Sequence, residues 1–101
     1  MSNNSDSSEY VDELVWEDYS KGDSLEGILV DVLEDMGEYN NRLYKIQNDE
    51  ALYAVWSNYK LREQFKKLKV SIGMRIRIVY NGLVKTGNGF DMKDFSVIVL
   101  D

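Results

Sequence analysis

The residue pattern predicts a small all-β barrel carrying one helix. Three features lead there. β-Branched and aromatic stretches alternate with Gly, Asn and Asp turns, and a single segment, Asn58 to Leu68, has helical spacing. The first long stretch, Leu25 to Asp35, is apolar on both faces, as a strand that must bend into a barrel would be. The chain's 101 residues suffice for one modest core.

In chain order, Met1 to Ser8 is rich in Ser, Asn and Asp and reads as a disordered lead-in. Tyr10 to Asp18 sets Val11, Leu14, Val15 and Trp16 among carboxylates, a pattern compatible with an edge strand, a one-turn helix or a docking peptide. Lys21-Gly22-Asp23 is a turn signal, which divides an acidic arm (1–21) from the folded domain (22–101). In Leu25 to Asp35, Ile28, Val30 and Val32 oppose Leu29 and Leu33, and Gly27 points to a bulge or strong coiling. Met36 to Asn41 reads as a loop. Arg42 to Gln47 and Leu52 to Ser57 form a hairpin around Asn48-Asp49-Glu50.

In Asn58 to Leu68 the period changes. Leu61, Phe65 and Leu68 recur at helical spacing, Lys60, Arg62, Lys66 and Lys67 lie elsewhere on the wheel as a solvated face, and Ser57 or Asn58 can cap the first turn. Met74 to Tyr80 alternates cleanly, with Met74, Ile76, Ile78 and Tyr80 on the core side. Gly82, Gly87 and Gly89 mark Asn81 to Asp94 as a long flexible connection, and Phe95 to Leu100 is the last strand. Three strands, a helix and two strands is the order of the OB-fold, a five-stranded barrel with its helix between strands three and four. That fold takes oligonucleotides on strands two and three and on two loops, which here are Met36 to Asn41 and Asn81 to Asp94.

Composition narrows the function. Without cysteine or histidine there is no thiol chemistry, no His/Cys zinc site and no histidine base. Carboxylates such as Asp31, Glu34 and Asp35 form no spaced catalytic motif, so no enzyme, cofactor or metal is expected. The N-terminus lacks the charged and apolar regions of a signal peptide, and no apolar run reaches membrane-spanning length, so a cytoplasmic protein is expected.

Charge is unevenly spread. Net charge is −6, yet Ala54 to Lys93 carries nine Lys or Arg against Glu63 and Asp91, a local +7, with Tyr53, Trp56, Tyr59, Tyr80 and Phe90 around it. The segment through Glu26 sums to −7, so the acidity sits largely in the arm. Cations beside aromatic faces suit single-stranded nucleic acid, because bases stack on rings while Lys and Arg follow the phosphates. If the hairpin turns at Asn48 to Ala51, Leu43, Lys45 and Gln47 lie opposite Trp56, Ala54 and Leu52. The face holding Tyr44, Ile46, Tyr53 and Val55 is then the core, and Trp56 and Lys45 point outward together. Tyr39 and Arg42 join them from the first loop and its flank, Lys85, Phe90 and Lys93 from the second loop, and Arg77 from strand four.

Several segments carry a likeness beyond pattern. They are Gly22-Asp23-Ser24-Leu25-Glu26-Gly27, Gly37-Glu38-Tyr39-Asn40-Asn41, Leu43-Tyr44-Lys45-Ile46, Tyr53-Ala54-Val55-Trp56, Leu68-Lys69-Val70-Ser71-Ile72-Gly73, Ile76-Arg77-Ile78-Val79-Tyr80-Asn81-Gly82 and Lys93-Asp94-Phe95-Ser96-Val97. In that order and spacing, from Gly22 to Val99, the chain resembles the small OB-fold single-stranded DNA-binding proteins of bacteriophages. The resemblance implies sequence-tolerant binding of single-stranded DNA in replication or recombination, in the host cytoplasm, with replication or recombination proteins as further partners; a homo-oligomer is compatible with it. Many such proteins end in an acidic tail that recruits partners, whereas here the acidic segment lies at the other end.

A protein-interaction module is the competing expectation: an acidic OB barrel that binds a replication protein or mimics DNA. The charge split also predicts that the arm, Ser5 to Asp18, folds back over the basic groove and competes with nucleic acid.

Overall fold

The computed structural model describes residues 13–17, 19–38 and 40–100. The elements are β1 (Glu13–Val15), β2 (Ser24–Met36), β3 (Asn41–Gln47), β4 (Leu52–Trp56), α1 (Tyr59–Leu68), β5 (Arg75–Lys85) and β6 (Asp91–Leu100). The protein is all-β with one helix, but the five-stranded barrel expected above is corrected to an open six-stranded sheet in the order β1-β4-β3-β2-β5-β6. The additional strand comes from the arm: Glu13, Leu14 and Val15 pair in parallel with Leu52, Tyr53 and Ala54. The helix therefore follows the fourth strand rather than the third. β1 occupies the edge of β4 that a closing strand would otherwise need.

The rolled sheet is sealed by side chains instead. Trp16 and Tyr19, just beyond β1, pack against Phe95 of β6 at centroid separations of 6.3 and 5.7 Å, and Tyr19 meets Tyr80 of β5 at 4.5 Å. The Trp16 amide donates to the Ala54 carbonyl at 2.9 Å, so backbone and ring together tie the arm down. On the far edge, α1 takes the place of a neighbouring strand: Asn58 Nδ2 donates to the Lys93 carbonyl at 2.8 Å, and the Val97 amide donates to Gln64 Oε1 at 3.4 Å. Asn58 also caps the helix, its Oδ1 accepting from the Leu61 amide at 2.9 Å.

Leu61 and Phe65, one helical turn apart, press onto Leu25, Leu29, Tyr44, Ile46, Val55, Ile76, Ile78, Tyr80, Phe95 and Val97 to form the core. The alternation read in β3, β4 and β5 explains this set, since these residues share the inward parity. The hairpin register is Leu43 opposite Trp56, Lys45 opposite Ala54 and Gln47 opposite Leu52, as parity requires.

Two local expectations are corrected. Instead of a bulge at Gly27, the β2 ladder with β5 runs unbroken through it, and the ladder with β3 shifts register after Leu29 and after Leu33. Gly27 serves close approach: a Cβ there would lie 2.5 Å from the Gln47 carbonyl oxygen. Asn81 to Asp94 is mostly paired ribbon, not a long flexible connection. A register shift between Tyr80 and Gly82 bends β5 without ending it, and Leu83, Val84 and Lys85 stay opposite Lys93, Met92 and Asp91. Only Thr86 to Phe90 turns the chain. Among the described residues, no helix is long and apolar enough to cross a membrane.

Candidate nucleic-acid interface

Trp56 ends β4 on the outward face and is 41% exposed, in line with the parity argument. Its indole lies along the turn after β2: a Cβ on Gly37 would come within 3.1 Å of Trp56 Cη2, and Gly37 has a φ of 75°. Both the left-handed backbone and the ring contact favour glycine there. Met36, Gly37, Glu38 and Asn41 complete a shallow apolar niche of about 330 Å³ around the indole. Beside it, Leu43 faces outward yet is buried opposite Trp56 and Leu33. The indole is thus supported along one side and partly exposed, an arrangement suited to a stacked base.

Most of the sequence-predicted cations have carboxylate partners within the protein. Arg42 Nε donates to Glu34 Oε1 at 3.0 Å, and the side-chain hydrogen bond to Glu34 raises the Arg42 pKa above its ordinary value. Lys45 Nζ is paired with Glu13 of the arm and largely covered. Arg77 donates through Nε and Nη2 to Glu26 Oε1 at 3.2 and 2.9 Å. Lys85 Nζ meets Asp91 Oδ1 at 3.2 Å. Lys93 sits over the Tyr19 ring, 5.2 Å from its centroid. The β-propensity and turn signals that located these residues say nothing about such cross-strand partners.

Lys45 and Trp56 share the outward face of one hairpin, but Arg42, expected to join them, has the parity of the core residue Tyr44 and lines a cleft beside α1 instead. Lys85, Phe90 and Lys93 stand on the β5–β6 ribbon, separated from Trp56 in the sheet by β3 and β2, as does Arg77 on β5. Phe90 is 71% exposed at the ribbon tip. Tyr39 lies outside the described residues, as does the arm from Ser5 to Asp12. The described part of the arm runs along the β4 edge and engages Lys45, while the helix cations lie elsewhere.

Sequence reasoning treated the helix cations as a solvated face and missed how two of its residues sit. Arg62 Nη1 reaches Asn41 Oδ1 at 3.2 Å and Ser57 Oγ at 3.3 Å, which holds the guanidinium beside the start of β3. Tyr59, 56% exposed, opens the helix next to it. The i, i+3 and i+7 spacing of Tyr59, Arg62 and Lys66 was the available signal, since it sets them on one stripe. Below, Tyr44 stacks on Phe65 at a centroid separation of 4.0 Å. Burial raises the Tyr44 pKa, opposed first by hydrogen bonding from the neighbouring Arg42 side chain and then by its charge, yet that contact falls outside good hydrogen-bond geometry.

No protein-family model, curated protein or solved structure matches this chain.

Proposed function

We propose that this protein binds single-stranded DNA with little sequence preference, by base stacking on Trp56 and phosphate contacts nearby, in the service of DNA replication or recombination. The observation that carries this reading is the partly exposed indole of Trp56 on the outward face of β3–β4, with Lys45 on the same face. Strand connectivity supports it too. Strands β2 to β6 with α1 follow the OB order, and β1 stands at the seam. In that fold the corresponding face takes oligonucleotides, and the likeness to bacteriophage single-stranded DNA-binding proteins points the same way.

The internal ion pairs favour a second reading, a protein-interaction module. Arg42, Lys45, Arg77 and Lys85 each already have a carboxylate, and the niche around Trp56 is apolar. One titration separates the two. Oligo-dT should quench the tryptophan emission of the wild type at low salt, with a smaller amplitude in Trp56→Phe, where only Trp16 remains. Binding should weaken as salt rises, because phosphate contacts release counterions. Absence of quenching and of a gel shift at low salt would reject the DNA reading and leave the interaction module.

A further inference from the structure

The niche around Trp56 does not end at Asn41. Asn41 is shared with a polar recess of about 490 Å³ that also holds Ser57, Arg42 and Arg62. Arg42 and Arg62 in turn line a deeper cleft of about 540 Å³ between α1 and the β2–β3 face, with Tyr59, Lys66 and Tyr44 among its walls. The three depressions therefore form one path from the end of β4, past the helix N-terminus, along one stripe of α1. Arg62 and Lys66 make no ion pair among the described residues, and Glu34 in the recess is engaged by Arg42. Glu63 is the acidic side chain lining the deeper cleft. At its wall the buried Tyr44 hydroxyl lacks a partner, which leaves a donor for an oxygen-rich ligand to satisfy after small side-chain movement.

We propose that this cleft is the second half of the binding site: a single strand whose base stacks on Trp56 continues past Asn41 and runs along α1. Arg62 and Lys66 take successive phosphates there, and the exposed ring of Tyr59 stacks a further base. The proposal rests on the DNA reading above and extends it to a face that strands two and three of an OB-fold do not include. It assigns a binding role to helix residues whose sequence pattern resembles ordinary solvation. Lys67, exposed on α1 but not lining the cleft, marks its boundary.

Fluorescence titration with oligo-dT of about four and about twelve nucleotides, the range of site sizes for such folds, tests the path. The proteins compared are the wild type, Tyr59→Ala, Lys66→Gln and Lys67→Gln. The short oligomer, held at Trp56 alone, should bind all four alike. The long one should bind Tyr59→Ala about tenfold more weakly, the loss expected of one stacked base. With Lys66→Gln the slope of log affinity against log salt should shrink by about 0.7, the share of one phosphate on a single strand, while Lys67→Gln keeps the wild-type slope. Circular dichroism monitors folding; were Tyr59→Ala to unfold, the two lysine variants decide. If oligo-dT quenches the wild type but Lys66→Gln and Lys67→Gln behave alike, the cleft is no part of the path and the Trp56 site stands alone. If neither oligomer binds the wild type, the DNA reading and the cleft fall together.

Discussion

Tyr44 carries a buried hydroxyl whose polar neighbour, the Arg42 guanidinium, lies outside good hydrogen-bond geometry. An unsatisfied buried polar group costs about 1–3 kcal/mol, so Tyr44→Phe should stabilise the protein by about 1 kcal/mol in urea unfolding, even as it weakens binding of long oligo-dT. Burial also raises the pKa of Tyr44, and of Tyr19, above the ordinary 10.0. The folded state thus holds its phenolic protons more tightly than the unfolded chain. Their stabilising effect is complete below pH 10.0 and is lost as pH rises from there through the folded-state values. An alkaline denaturation series should show this loss, and Tyr44→Phe should make it shallower. Gly27 represents the opposite situation, a site with no room to spare. A methyl group there meets the Gln47 carbonyl at 2.5 Å, so Gly27→Ala should cost about 1–3 kcal/mol through overpacking, measurable as a lower urea midpoint.

β1 is the element with two roles. Its backbone covers the β4 edge, and its Glu13 holds Lys45 of the outward face. A tethered carboxylate competes with an incoming phosphate at high effective concentration. Glu13→Gln should therefore tighten oligo-dT binding at low salt, and the gain should fade as salt screens the pair. An unchanged affinity in that titration would mean that Lys45 does not contact the ligand. Truncation through Asp18 is a different experiment, because it also removes Trp16 from the aromatic seam against Phe95. It should lower stability by about 3 kcal/mol, the scale of a large aromatic deletion, before any effect on binding can be read. Val15, outward and 46% exposed, ends the strand beside Ala54 and adds to the apolar surface near Trp56.

For the molecule as a whole, charge is arranged as a set of internal pairs on a background of −6. Exposed pairs of this kind contribute little to stability, but they decide how much cationic charge a ligand meets. With Arg62 and Lys66 available and Lys45 released from Glu13, about three phosphates are neutralised, for an expected slope of about −2 in log affinity against log salt. A much steeper slope would mean that the β5–β6 ribbon, with Lys85 and Lys93, closes onto the same strand. The ribbon's length makes this a distinct test: it stands across the sheet from Trp56, and its tip presents Phe90.

Much of this molecule follows from local chemistry. The helix between Asn58 and Leu68, the hairpin register that turns Trp56 and Lys45 outward, and the core parity of Ile76, Ile78 and Tyr80 are legible residue by residue, because period, capping and turn preference act over a few positions. The fate of the arm was not. The stretch holding Glu13 to Val15 fits an edge strand, a helical turn or a docking peptide alike, and the partner that decides it, Leu52 to Ala54, lies far along the chain. The pairings of Glu26 with Arg77, Glu34 with Arg42 and Glu13 with Lys45 are likewise relations between strands, so a count of cations read along the chain overstated the free positive charge. The cleft under Arg62 exists because α1 docks along β6 and leaves a gap to the β2–β3 face, and the seam lacks strand pairing because β1, Trp16 and Tyr19 fill it. Such outcomes depend on which segments meet in space, a property of the folded chain that no single segment carries.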